Sequence, residues 1–187
     1  MTDLLQRLQR ARPGILAWMD DLHATHRQAS VPASATGYAR LASAFPASLL
    51  QRARAVAVDR VPFPPVSAYG LPEFESMERR QIAGVTFDDM YFVHRAHASE
   101  ATHFHELVHV VQWSTLGVDE FLLTYALGVA QHGYVQSPLE AIAFDLQALF
   151  EQHAALDGVV DRVARHAVET RDAAAAVFRA HGFRLGS

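Results

Sequence analysis

The sequence predicts one α+β domain, built from a small, partly antiparallel sheet and several helices. The chain has 187 residues and half of them are apolar, which is enough for a single domain with a sizeable core. Segments with the composition of short strands lie within residues 54–95, whereas helical spacing and helix-capping residues occur on both sides of them. No linker divides the chain, so residues 1–187 are expected to form one domain.

The amino-terminal part is predicted to be mainly helical. Leucines at helical spacing in residues 3–29, interrupted by Arg12-Pro13-Gly14, indicate two short helices or one kinked helix. Further along, an alternating pattern predicts a strand, and clustered prolines end it and disrupt the segment that follows. In chain order, we therefore expect a loop at 30–36, a short helix at 46–53, a strand at 54–60 and irregular surface at 62–82.

From residue 84 onward, β structure followed by a series of helices is predicted. Residues 84–95 are expected to form either two short β segments around Asp88-Asp89 or one bulged strand. Ser99 is a suitable N-cap for the next helix, which is expected to run to about Thr115 and to stop at Gly117. The remaining predicted helices cover residues 119–131 before Gly133, the segment that begins at Ser137-Pro138, and residues 158–181 as one or two amphipathic helices.

Composition excludes several classes of function. A formal charge of −4 without a long basic run makes nucleic acid an unexpected partner. The chain contains neither cysteine nor lysine, so disulfides, thiolate ligands, cysteine nucleophiles and Schiff-base or P-loop lysines are excluded. The 11 histidines and the carboxylates remain for metal or acid–base chemistry. The amino-terminal residues resemble no signal peptide and no membrane span is visible, so a cytoplasmic location is expected, with signal-independent export as the alternative.

Residues 102–113, THFHELVHVVQW, contain a metal-binding pattern. On a helix, His105 and His109 lie one turn apart on the same side, so both imidazoles reach one point, as zinc requires at about 2.0–2.1 Å. Glu106 lies about 60° from His109 around the helix, close to the metal but suited to holding the attacking water. The pattern is the HExxH arrangement of zinc metallopeptidases, and it predicts one Zn²⁺ per chain.

A catalytic zinc site needs a third protein ligand, and the residues alone leave its identity open. Glu140, His132 and Glu120 are the candidates. Glu140 has an equally plausible structural role, because Ser137-x-x-Glu140 matches a capping box in which the glutamate caps its own helix. The motif itself has a structural alternative too, as a core helix with unused histidines. However, burying two imidazoles and a carboxylate without partners in such an apolar helix would lower the free energy of unfolding by several kcal/mol.

The segment HELVHVVQW, followed by FLLTYALGVAQHGYVQSPLEAIAF, resembles the gluzincin zinc metallopeptidases. In particular, it is similar to the small HExxH domains associated with bacterial contractile injection systems. The resemblance covers about residues 54–146, the expected metal-site core, with mainly helical flanks at 1–53 and 147–187. It implies a zincin-like fold, with the motif helix beneath the sheet and the glutamate helix crossing the cleft. It also implies that His105, His109 and Glu140 bind zinc and that Glu106 is the catalytic base.

One position departs from this family. Thermolysin-like members carry, four residues after the glutamate ligand, an aspartate that orients a ligand histidine, and this chain has Phe144 there. The group that orients the histidines is therefore unidentified. Tyr134 and His132 are candidate catalytic residues that donate to the developing oxyanion, although packing and an exposed helix end are their structural alternatives. His103 is expected to face away from the metal into solvent, and Gln112 and Trp113 are expected to be packing residues.

The expected activity is zinc-assisted hydrolysis with Glu106 as general base, and the resemblance implies that the substrate is a peptide or protein. The strand at residues 90–95 is predicted to be an edge strand on which an extended peptide pairs. The alternative is a non-catalytic, zinc-stabilised binding module of a larger assembly. The missing orienting aspartate and the lack of a recognisable specificity pocket in the sequence favour that alternative.

Overall fold

The computed structural model describes residues 1–185, and it confirms the predicted α+β class. The predicted domain extends to Ser187, so its last two residues lie outside the described part. The described residues contain eight α-helices and one four-stranded sheet. The strands are β1 (Val31–Pro32), β2 (Arg54–Val58), β3 (Gly84–Phe87) and β4 (Met90–His94). The helices are α1 (Thr2–His26), α2 (Leu41–Ala44), α3 (Ala47–Arg52), α4 (Glu75–Glu78), α5 (Glu100–Leu116), α6 (Val118–His132), α7 (Pro138–Glu151) and α8 (Val159–Ala180).

The sheet is partly antiparallel, as predicted, but its strand order differs from the expectation. The order is β1-β2-β4-β3, with β2 parallel to β4 and the other two pairs antiparallel. Residues 90–95 were expected to supply an edge strand, and this prediction is wrong because β4 pairs with β2 on one side and β3 on the other. Four of the five β4 residues are buried, as suits a strand inside a sheet. The edge strand next to β4 is β3.

The amino-terminal leucines lie in one continuous helix rather than two. Helix α1 has 25 residues and contains Pro13, and its buried side chains include Leu5, Leu8 and Met19. The segment 62–82 differs from a purely irregular surface, because it contains a short 3₁₀ helix (Pro72–Phe74) and α4. Val66, Leu71 and Phe74 are buried against α1 and α6. This segment therefore covers part of the core.

Helix α5 runs through the centre of the molecule. Ser99 accepts a hydrogen bond from the Thr102 amide, and Gly117, at φ 74°, ends the helix, so both predicted boundaries are confirmed within a residue. Helices α7 and α8 and strand β3 all pack against α5. Twelve of the 17 residues of α5 are buried. Its polar side chains are therefore held within the core rather than at the surface.

His103 corrects one prediction about this helix. It was expected to be solvated, but only 4% of its surface is exposed. Its Nδ1 lies 2.8 Å from the Tyr91 hydroxyl, and its ring packs 4.8 Å from the ring of Tyr38. Burial lowers the pKa of His103 to about 4, so the imidazole is neutral at pH 7. Tyr91 and Tyr38 thus cover the face of α5 that carries His103. A helical wheel shows which way His103 points, but not what packs against it.

Within residues 1–185, no helix is both long enough and apolar enough to cross a membrane.

Candidate metal centre

His105, His109 and Glu140 form a compact group of three buried ligands. The two Nε2 atoms are 3.1 Å apart, and each lies 3.4 Å from Oε2 of Glu140. A tetrahedron with metal–ligand bonds of 2.0–2.1 Å has edges of about 3.3–3.4 Å. The three donor atoms, which we call the ligand triangle, therefore have the spacing of three corners of a zinc site. This geometry shows that the residues fit a metal ion.

The electrostatics of the ligand triangle also favour a cation. Burial alone would lower the pKa of His109, but the Glu140 carboxylate, together with Glu106 and Gln112, outweighs this effect and raises the pKa to about 9. Burial alone would raise the pKa of Glu140, but His109 and His105 hold it well below its usual range. Oε2 of Glu140 is buried, and 3.4 Å is too long for a good hydrogen bond to either histidine. The ligand triangle thus favours a bound positive charge. A proton can supply it on one histidine, whereas a divalent metal can contact all three donor atoms.

Glu140 acts in this centre rather than as a helix cap. Ser137 makes no side-chain cap hydrogen bond, and its amide donates to the Tyr134 carbonyl, so the capping box does not form. Instead, the Tyr125 hydroxyl donates to Oε1 of Glu140 at 2.6 Å. Because Oε1 is engaged, Oε2 is the oxygen that faces the histidines. Sequence reasoning missed Tyr125, and no local pattern could have found it, because its role depends on how α6 packs against α7.

Gln112 holds His109 in its metal-binding orientation. Its Oε1 lies 2.8 Å from Nδ1 of His109, and its Nε2 donates to the Leu139 carbonyl at 2.8 Å. With a proton on Nδ1, the lone pair of Nε2 points into the ligand triangle. Gln112 therefore orients His109. In thermolysin-like peptidases a ligand histidine is oriented by an aspartate, and this chain has Phe144 at that position. The sequence interpretation treated Gln112 as a packing residue, although a buried glutamine three residues after the second histidine was a usable signal.

We expect Gln112→Leu to weaken zinc binding by about 10–100-fold, because removal of a partner that orients a ligand typically has this effect. Gln147→Leu, which removes a hydrogen bond to Glu151 at an exposed site, is the matched control and should bind zinc as the wild type does. Titration with a competing chelator measures both affinities. A folded Gln112→Leu protein with wild-type affinity would show that the hydrogen bond does not orient the ligand.

His105 is positioned by packing instead. Its ring lies 4.7 Å from the ring of Phe144, and its Nδ1 is buried without a hydrogen-bond partner. Phe144, which stands where thermolysin-like peptidases have an aspartate, therefore contacts His105 through its ring and not through a carboxylate. The two ligand histidines are thus held by different means, one by an amide and the other by an aromatic side chain.

Glu106 lies beside the ligand triangle and is held by β3. The Thr86 hydroxyl lies 2.7 Å from Oε2 of Glu106 and 3.1 Å from its carbonyl oxygen. A Cβ atom at Gly84 would lie 2.8 Å from Cδ of Glu106, so the carboxylate needs a glycine at this position. Burial raises the pKa of Glu106, although His105 and His109 act in the opposite direction. A raised pKa suits a group that must take up a proton near neutral pH.

Gly84→Ala should lower the free energy of unfolding by about 1–3 kcal/mol, because the added methyl group overpacks the Glu106 carboxylate. Ala57→Ser, which also adds one atom but at an exposed position of strand β2, is the control and should leave the stability near that of the wild type. Urea unfolding at constant zinc concentration compares the two. Equal stability of Gly84→Ala and wild type would mean that Glu106 is not packed against this strand.

The other predicted site residues, Tyr134, His132 and Glu120, lie in three different places. Tyr134 lies in the wall of a cavity that Glu106 and Glu140 also line, and the Arg80 guanidinium lies 5.2 Å from its ring centre. Burial raises the pKa of Tyr134, so it keeps its proton at neutral pH. His132 is exposed at the end of α6 and lines a different cleft, so it has no contact that supports its predicted catalytic role. Glu120 forms an ion pair with Arg171 at 2.7 Å and does not join the ligand triangle.

An apolar cavity of about 110 Å³ reaches the metal centre. Glu106, His109, Tyr134 and Glu140 line it where it meets the centre, and the other lining residues are mostly apolar. The four residues of the HExxH–Glu set are each no more than 6% exposed, so this cavity is an approach to an otherwise buried centre.

Comparisons with known proteins return no match to this chain. Searches of protein-family models, curated proteins and solved structures each gave no significant match. The function must therefore be argued from the site itself.

Proposed function

We propose that the protein is a zinc-dependent hydrolase that cleaves peptide bonds, with His105, His109 and Glu140 as the metal ligands and Glu106 as the general base. The observation that carries this proposal is the position of Glu106, a buried carboxylate beside the ligand triangle but outside it. Two imidazoles and one carboxylate are the ligand set of several catalytic zinc sites, in which the fourth position is open. The likeness of residues 54–146 to gluzincin peptidases supports peptide bonds as the substrate.

Each residue has a defined task in this proposal. A bound zinc ion lowers the pKa of water and polarises a carbonyl group. Glu106 accepts the proton of the attacking water and passes it to the leaving amine nitrogen, while Thr86 holds its Oε2 in place. Tyr134, which remains protonated and lines the same cavity, would donate a hydrogen bond to the developing oxyanion. Tyr125 and Gln112 keep Glu140 and His109 in their ligand orientations.

The edge strand β3 is the element on which an extended substrate would pair. It carries Gly84 and Thr86, both of which lie against Glu106. A peptide that adds to this strand by main-chain hydrogen bonds would pass beside the general base.

A non-catalytic zinc-stabilised module is the second candidate, and the deep burial of all four polar residues favours it. A structural zinc site has four protein ligands, whereas a catalytic site keeps one position for water or substrate. The cavity that reaches the centre favours the catalytic alternative, because a closed structural site needs no approach.

The proposed activity can be tested with a library of unstructured peptides and detection of products by mass spectrometry. We expect cleavage by zinc-loaded protein, its loss on addition of a chelator, and its return when zinc is restored. Fully zinc-loaded protein that cleaves no peptide in such a library, with a fourth protein ligand on the metal, would instead establish the structural module.

A further inference from the structure

Residues 62–82, between β2 and β3, form part of the wall of the apolar cavity. Phe74 and Met77 of this segment line the same cavity as Glu106 and Glu140. At about 110 Å³, the cavity is smaller than one of about 150 Å³ that binds benzene in another protein, so it cannot contain an extended peptide. A polypeptide substrate therefore reaches the metal centre only if a wall of the cavity moves.

The way this segment joins the sheet suits movement as one unit. The chain leaves the sheet after Val58 of β2 and returns at Gly84 of β3, and both strands pair with β4. In these pairings Val58 lies opposite His94 and Gly84 lies opposite Val93, so the two ends emerge on either side of the same end of β4. Because neighbouring strands are about 4.8 Å apart, these ends are separated by about 10 Å. Two such neighbouring connections can act together as a hinge.

Hydrogen bonds within the segment hold it together. The Leu71 amide donates to the Val66 carbonyl at 3.0 Å, and the Ser67 amide donates to Oε1 of Glu78 at 2.6 Å. Glu78 therefore ties α4 to the turn that precedes the 3₁₀ helix. Since both partners of each bond belong to the segment, these bonds persist when it moves as a unit.

Contacts with α1 hold the segment against the rest of the protein. The Arg7 guanidinium binds both carboxylate oxygens of Glu73, at 2.8 and 2.7 Å, and donates to the Gly70 carbonyl at 2.9 Å. Further along α1, a Cβ at Gly14 would lie 3.0 Å from the Tyr69 ring, so this ring packs closely on the helix. The Arg7 and Glu73 side chains are 27% and 32% exposed. Water can therefore replace their bonds when the segment separates from α1.

We propose that residues 62–82 form a lid, which closes over the metal centre in the free protein and lifts from α1 to admit a polypeptide. Lifting exposes buried apolar side chains such as Phe74, so the closed state predominates. Arg7 and Glu73 form a latch that sets the fraction of time for which the lid is open. This inference rests on the metal-dependent function proposed above, and it adds how access to the same site is controlled.

The chain has no cysteine, so the reaction of a single introduced thiol can measure lid opening. Leu123→Cys places a thiol in the cavity wall, at a position 2% exposed and in the same apolar cluster as Phe74. Val163→Cys places one in a different core cluster. An aromatic disulfide reagent should modify the first thiol much faster, because lid opening requires less free energy than global unfolding. Leu8→Cys, also in the cavity wall, serves if Leu123→Cys does not fold.

Glu73→Gln in the Leu123→Cys protein tests the latch. The change removes the charge that pairs with Arg7 but keeps the size of the side chain, so the thiol should react about 2–10-fold faster. Glu75→Gln is the matched control. It removes the same charge from the same segment, but Glu75 pairs with Arg79 within α4, so the rate should not change.

A reversible crosslink tests whether the lid controls access to the metal. Arg7→Cys and Glu73→Cys together, joined by a bifunctional methanethiosulfonate, should fix the lid in its closed position. The locked protein should lose peptide cleavage and should release zinc to a chelator more slowly, and a reductant that opens the crosslink should restore both rates. The same crosslink between Glu75→Cys and Arg79→Cys lies within α4 and should change neither rate.

The outcomes distinguish the lid from the proposed function. A thiol at Leu123 that reacts as slowly as one at Val163 would overturn the inference, because the cavity would then open only by global unfolding. Undiminished cleavage by the locked protein would refute the lid and leave the hydrolase in place. Lid opening without any peptide cleavage would support the lid and refute the hydrolase. Because the thiol reaction needs no zinc, it tests the lid even in a protein that binds none.

Discussion

Glu106→Gln is expected to lower the turnover of a cleaved peptide by about 10²–10⁴-fold, the usual contribution of a general base, while zinc content stays near one per chain. Glutamine has nearly the size of glutamate and keeps an oxygen that accepts the hydrogen bond from Thr86. It lacks the basicity needed to take a proton from water. Zinc binding should persist because Glu106 lies outside the ligand triangle.

The melting temperature of Glu106→Gln should not fall, and this follows from the pKa of Glu106. Burial raises that pKa, so the folded protein disfavours the charged carboxylate that the unfolded chain carries at neutral pH. A neutral glutamine removes this cost. Glu151→Gln, at an exposed position in the last turn of α7, is the control and should change neither activity nor stability. Chelator-sensitive cleavage that survives Glu106→Gln undiminished would refute the assigned role.

His105→Ala and His109→Ala should each reduce bound zinc from about one per chain to near zero, as measured by elemental analysis after dialysis. Each substitution removes one corner of the ligand triangle and leaves two protein donors. A ligand that binds only the folded state stabilises it by about 2.7 kcal/mol at a concentration 100 times its Kd. The zinc-dependent rise in melting temperature should therefore be present in wild type and absent from both variants.

His132→Ala is the control for these two substitutions. His132 is exposed at the end of α6 and lies in the wall of another cleft, so its loss should leave the zinc content unchanged. Zinc retained at wild-type level by both His105→Ala and His109→Ala would show that the metal binds elsewhere. Loss of zinc from His132→Ala would restore it as a candidate ligand.

The parts of the site that depend on local geometry were predictable from sequence. His105 and His109 are one turn apart on any helix, and Ser99 and Gly117 mark the ends of this helix by their own conformational preferences. For residues 84–95 the sequence left two alternatives, two β segments or one bulged strand, and the structure has the first, with β3 and β4 joined by a two-residue turn at Asp88-Asp89. Glu140 needed the family resemblance, since its local pattern matched a capping box equally well.

The parts that depend on packing between distant segments were not predictable. The role of Gln112 requires the Leu139 carbonyl on α7, and that of Tyr125 requires α6 to lie against the same helix. The position of β4 inside the sheet depends on its parallel pairing with β2, which is separated from it by a long connection. His103 is buried because α5 is enclosed on the face away from the metal as well. In each case the deciding contact joins elements whose arrangement the local sequence does not specify.

The most direct test of the metal centre is the anomalous difference density of zinc in crystals of the zinc-loaded protein, recorded on both sides of the zinc absorption edge. We expect one strong peak between Nε2 of His105, Nε2 of His109 and Oε2 of Glu140, with a solvent molecule at the fourth position. A peak at another place, or none among these three residues, would show that they do not form the zinc site.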